Sequence, residues 1–308
     1  VRPINAGARP KPRSPLRRRH LHCVPTAPAS RRTAASRPVT YDVAVFQIIK
    51  NRRRRRILAT ESIPDTLWNA AIDAVPVLRT LDDDERARLR DLALLFLHEK
   101  RLEPAGGLEL DDEMGVRLAA LACLPILELG LDCYDGFAAV IVYPDEFVVP
   151  GREHVDDAGV VHVADDILSG EAWDFGPVIL AWEDVAASGQ GEGYNVVAHE
   201  FAHKLDLLDG AVNGVPPLHR DMRVAEWTET FQAAYDDLVE QVERGEETWI
   251  DPYAAENPGE FFAVCSELFF DVPLDLQIAY PALYRQLAAF YRQDPAARTR
   301  RPRDRQVS

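Results

Sequence analysis

The chain is poor in cysteine. Four are spread over 308 residues (Cys23, Cys123, Cys133 and Cys265), and no two form a C-x-x-C pair. A disulfide scaffold is therefore not expected, and a reduced, cytoplasmic protein is. No apolar run reaches the roughly 18 residues that span a bilayer, so no membrane partner is expected. A signal-peptide core is missing too. Asp42–Ile49 is short, carries an acid, and runs into Lys50 and Arg52–Arg56 with no small-residue cleavage site. There is no internal repeat.

Acids are nearly absent from the first 56 residues, which hold 16 Lys and Arg against Asp42 alone. That surplus of 15, in a chain of net charge −15, leaves −30 on the remainder. A core so acidic excludes nucleic acid as its main ligand. Residues 1–56 are rich in Arg, Pro, Ser and Ala and read as a disordered basic arm. The arm is expected to be a solvated tail, or sequence upstream of the natural start, rather than a nucleic-acid contact. The basic stretch 296–308 reads as a second disordered tail.

Between these ends, the periodicity predicts a helical part over 64–130, with helices at Thr66–Leu78, Asp82–Leu102 and Asp112–Leu129. Strand character follows at Phe137–Tyr143, Phe147–Val149, Gly159–Val163 and Pro177–Trp182. Further helices are expected over Met222–Arg244, from Pro258 behind an Asn257 cap, and over Leu274–Tyr291. The class is α+β, mostly helical, with a small mixed sheet just before one central helix.

That helix carries His199-Glu200-Phe-Ala-His203 within an apolar frame of Val196, Val197, Ala202 and Leu205. Residues four apart share a helix face, so both imidazoles can aim at one metal ion, with Glu200 beside them to take a proton from a metal-activated water. A catalytic zinc normally takes a third protein ligand. Asp209, six residues after His203, is one candidate. The glycine that such a compact site needs is replaced by Asp206, however, and Met222 is the one methionine downstream. Glu260 is the better candidate, standing among Phe261, Phe262 and Val264, where a carboxylate needs a partner. Glu267, two turns on, points the same way. It is either an ordinary acid or the group that holds a ligand histidine. Asp206 either orients His203, caps the helix, or is a surface acid.

His199-Glu-Phe-Ala-His-Lys-Leu-Asp206, together with Asp251-Pro-Tyr-Ala-Ala-Glu-Asn-Pro-Gly-Glu-Phe-Phe-Ala-Val-Cys-Ser-Glu267, resembles the Mlc titration factor A family of bacterial zinc metallopeptidases. Further matching stretches run through Cys123–Leu131, Tyr143-Pro144, Gly176–Leu180 and Tyr291–Pro295, so the resemblance covers about residues 65–295. It implies a zincin-like, gluzincin-like domain similar to the protease domain of anthrax lethal factor, placed here at 57–295, with its sheet and catalytic part at 136–295. It implies one Zn2+ per chain, held by His199, His203 and Glu260, with Glu200 as general base. Similar proteases carry a tyrosine seven residues before the ligand glutamate, and Tyr253 holds that position. The implied activity is hydrolysis of a peptide or protein substrate, with an aminopeptidase as the narrower expectation. The alternative it implies is a regulatory protein that sequesters a transcriptional repressor. Strand Pro177–Trp182 is expected to be a sheet edge that pairs with substrate.

Overall fold

Residues 41–60 contain neither proline nor glycine, and arginine ranks among the better helix formers. They form α1 (Tyr41–Thr60), a helix where the sequence reading extends a disordered arm to residue 56. Charge density argued for coil there, but nothing in the stretch breaks a helix. The computed structural model describes residues 41–145, 147–155, 161–168, 170–172 and 176–300, so residues 1–40, 146, 156–160, 169, 173–175 and 301–308 lie outside the description, and with them the first two residues of the expected strand Gly159–Val163. The chain divides into two units, Val1–Ser62 and Ile63–Ser308. All that follows concerns the second.

It begins with α2 (Asp65–Ala74) and α3 (Asp83–Glu99). α3 opens on a reciprocal capping box: Asp82 accepts from the Glu85 N–H, and Glu85 accepts from the Asp82 N–H. The sequence reading carries this helix to Leu102, but the chain turns extended at Lys100 and enters β1 (Arg101–Pro104). The Lys100 ammonium is anchored on the carbonyls of Tyr134 and Phe137, which draws the chain off the helix, and Pro104 then favours the extended form at Glu103. α4 (Asp112–Cys123) is buried from Gly115 onward except at Arg117, and stops short of Pro125, earlier than the expected Leu129. β2 (Ala139–Tyr143) follows.

β3 (Phe147–Val155) and β4 (Val161–Leu168) form a separate antiparallel hairpin. β5 (Gly170–Ala172) and β6 (Val178–Ala181) then complete a four-stranded sheet of order β1-β2-β6-β5. β1, β2 and β6 run parallel, and β5 is antiparallel to β6. The mixed sheet matches the expected class, but the expected edge does not. β6 lies between β2 and β5, so its hydrogen-bonding groups are engaged on both sides, and β5 is the outer strand. β1 and β5 escaped the sequence reading because runs of four and three residues are too short to show alternation.

α5 (Trp182–Ala187) leads into α6 (Val196–Asp206), the motif helix. α6 is buried nearly all round and packs against α8, α4 and the sheet. Its Phe201 ring sits 4.9 Å from Tyr134, 5.8 Å from Phe137 and 5.9 Å from Phe96, on the helix side away from the histidines. Burying a side chain of this size contributes about 1.5–3 kcal/mol.

α7 (Val224–Glu243) and α8 (Pro258–Asp271) come next. α8 starts as expected, with the Asn257 side chain accepting the Glu260 N–H. Behind it, Trp227, Phe231 and Phe262 form an aromatic layer with Phe290 and Tyr291. The helix expected over Leu274–Tyr291 is broken into α9 (Pro273–Ala279) and α10 (Pro281–Tyr291), because Pro281 forces Tyr280 out of helical conformation. α11 (Pro295–Arg300) replaces the start of the expected disordered tail. Its Arg298 is buried on Glu85 at 2.8 Å, a partner 213 residues away that local composition could not reveal.

Candidate metal centre

The site is built where α6 meets α8. α6 owes its start to Asn195, whose side chain accepts the Ala198 N–H at 2.9 Å. One turn on, His199 and His203 share the face turned toward α8, their ring centroids 4.8 Å apart. Glu260, in the first turn of α8, comes between them. Its Oε2 lies 3.1 Å from His199 Nε2 and 3.4 Å from His203 Nε2, and the two nitrogens are 3.2 Å apart. These three residues are the one such group of potential metal ligands among the described residues.

The donor set fits a divalent metal. Donors at about 2.0–2.1 Å around a tetrahedral zinc lie about 3.3 Å from one another, which is the spacing of this triangle. Two imidazole nitrogens facing each other at 3.2 Å can share at most one proton, whereas a cation satisfies both lone pairs and the carboxylate together.

Electrostatics reinforce the convergence. Burial pulls the His199 imidazolium down, but hydrogen bonds to Glu260 and Glu267 outweigh that and hold it up at about 10. Burial also opposes ionisation of Glu260, yet the two histidines more than compensate and keep its carboxyl far below the usual range. Glu200, next to His199, is 4% exposed.

The neighbouring acids play distinct parts. Glu267 touches His199 Nδ1 at 2.6 Å and accepts the Asn195 N–H at 2.9 Å, so it is not an ordinary surface acid. Asp206 is fully buried and neither caps α6 nor faces solvent. Its Oδ2 accepts the Gly214 N–H at 2.7 Å and ties down the loop after the helix. Burial, partly offset by that bond, raises it to about 6. Gly214 is required there. Its φ is +75°, and a Cβ would stand 2.4 Å from the Pro258 carbonyl at the start of α8.

Asp209 lies outside the cluster, exposed on a 3-10 turn, where it accepts from the Ala211 N–H. Tyr253 does reach the site. It sits on the 3-10 turn Pro252–Ala255, half-buried, its ring 6.2 Å from that of His199.

Two contributors escaped the sequence reading. Asp271 accepts the N–H groups of Gly191 and Gly193 and fastens the loop that leads into α6. Its place eleven residues after Glu260, on the same helix stripe, was the available signal. Asn195 was signalled by its position just before an apolar helix.

A His-Glu-x-x-His helix facing a glutamate on a second helix has the donor arrangement of a metallopeptidase. Comparison with known proteins agrees. The family model described as glucose-regulated metallo-peptidase M90 matches residues 49–292, and the chain belongs to that family. It is 43% identical to the Mlc titration factor A of Enterobacter sp. (strain 638), over 79% of this chain and 92% of that protein. The Mlc titration factor A of Salmonella arizonae is 45% identical, over 77% of this chain and 94% of its own length. That of Escherichia fergusonii is 43% identical, over 77% and 89%.

Proposed function

We propose that this chain is a zinc-dependent peptidase whose ligands are His199, His203 and Glu260 and whose general base is Glu200. The carrying observation is the triangle of donor atoms at 3.1–3.4 Å beside a buried glutamate. When bound, zinc lowers the pKa of a water towards 7 and polarises the scissile carbonyl. Glu200 accepts a proton from the attacking water and delivers it to the departing nitrogen. Tyr253 is assigned to donate a hydrogen bond to the developing oxyanion or a proton to the amine. Its nearness to His199 supports that role. The substrate is a peptide or protein, with an unblocked amino terminus as the narrower reading. The outer edge of β5 is the surface on which an extended substrate adds as a strand. Catalysis is assigned to residues 57–295.

Hydrolysis of peptides and aminoacyl-nitroanilides by the full chain tests this reading. Activity should vanish with a chelator and return with zinc. Glu200→Gln should keep its zinc and lose about 10^2–10^4-fold in turnover. Unchanged turnover by metal-loaded Glu200→Gln would end the mechanism.

A second reading is favoured by the relatives' name, which describes titration of Mlc. In it, the chain binds a transcriptional repressor and the metal site is secondary. Glu200→Gln that still captures an Mlc-type repressor supports a binding role independent of proteolysis. A cytoplasmic location suits both readings. No described helix is long and apolar enough to cross a membrane.

A further inference from the structure

We propose that Glu267 is a positioning residue that sets the tautomer of His199, keeping a proton on Nδ1 and the Nε2 lone pair directed at the metal. The inference rests on the metal-site reading above and concerns how unequally its two histidines are held.

An ionised carboxylate is purely an acceptor, so the ring atom facing it must carry the hydrogen. Glu267 Oε1 lies 2.6 Å from His199 Nδ1, in the range of a charge-assisted bond. The second oxygen accepts the Asn195 N–H at 2.9 Å. Asn195 also caps α6 through the Ala198 N–H. One carboxylate thus spans the helix start and the imidazole one turn later, with both its oxygens held. It is itself 8% exposed, which shields the bond from competing water. His203 differs. Its Nδ1 is buried and has no hydrogen-bond partner among the described residues.

Glutamine at 267 separates orientation from packing. Its carbonyl can keep the Asn195 N–H bond, which leaves the NH2 facing Nδ1. A donor there demands a lone pair on Nδ1 and moves the proton to Nε2, the atom that must bind metal. Outer partners of ligand histidines are worth about 10–100-fold in metal affinity, and Glu267→Gln is expected to lose that much.

The experiment uses the full chain, measuring zinc affinity by chelator competition and the imidazole tautomer by 15N NMR. Support comes from a zinc-loaded wild type with Nδ1–H and metal on Nε2, and from Glu267→Gln weakened at least 10-fold with the proton on Nε2 in the zinc-free state. Zinc affinity of Glu267→Gln within twofold of wild type overturns the proposal, as does a wild type whose His199 binds through Nδ1. Should Glu267→Gln not fold, the wild-type tautomer decides alone. A wild type that takes up no zinc would bring down the metal site itself. Normal loading with an indifferent Glu267→Gln would sink only this inference.

Discussion

The two ends of α6 are held in different ways. At the start, α8 reaches across with two carboxylates. Glu267 holds His199 and the Asn195 N–H, and Asp271 holds the N–H groups of Gly191 and Gly193. At the finish, Asp206 reaches outward from α6 to the Gly214 N–H, while its Oδ1 and the Nδ1 of His203 have no hydrogen-bond partner among the described residues. The first histidine is held by the protein at both ring nitrogens, whereas the second, among the described residues, meets partners only at Nε2. Such a site reads as half preorganised, its remaining order to be supplied by the metal.

The most forceful way to break this comparison is to remove the residue that joins the two ends. Glu260→Ala should lower zinc affinity by more than the roughly 10–100-fold worth of an outer partner, while Asp209→Ala keeps full zinc content by metal analysis. Full retention in Glu260→Ala would reject the ligand assignment.

Protons sharpen the contrast next. His199, held up at about 10, carries an extra proton at pH 7 that a metal must displace. Zinc affinity should therefore rise by up to about tenfold per pH unit between pH 6 and 9, with proton release visible by calorimetry in buffers of different ionisation enthalpy. A flat profile would contradict this.

The far end offers a third test. Asp206→Ala leaves the buried Gly214 N–H without its acceptor and should cost about 1–3 kcal/mol in denaturant unfolding. Limited proteolysis should then cut first within 207–217. If cleavage instead begins near 189–194, the assignment of Asp206 to the distal loop is wrong.

The smallest effect concerns Asp271, whose burial raises it from 3.8 to about 6 despite its N–H partners. The folded state holds that proton more tightly than the unfolded chain. The resulting stabilisation is full below about 3.8 and is lost as pH rises through about 6. Asp271→Asn cannot ionise, so its stability should gain on wild type by at most about 1.4 kcal/mol per pH unit across that window. Parallel stability curves from pH 4 to 7 would show that Asp271 does not titrate there.

Much of the site was legible in the chain because its pieces are local. His199 and His203 are one turn apart, and Glu260 follows an Asn-Pro start signal in an apolar run. The roles of the surrounding acids were not legible. Asp206, Glu267 and Asp271 are alike in type and all sit near apolar residues. Which acid meets a ring, a loop or solvent depends on how α6 and α8 cross. The fold shows the same division. Long periodic helices were readable, whereas β1 and β5 are too short to show a pattern, and α1 and α11 were hidden by their arginines.

The sequence by itself determined the reactive motif, the helices that carry it and the class of chemistry, because hydrophobic periodicity and ligand spacing are properties of neighbours along the chain. Tertiary structure alone decided that β6 is an inner strand and β5 the outer one, that Arg298 meets Glu85, and that Glu267 faces His199 while Asp206 faces Gly214. Those outcomes turn on pairing between residues far apart in sequence. There the cost of burying a charge selects its partner only after packing has brought the candidates together.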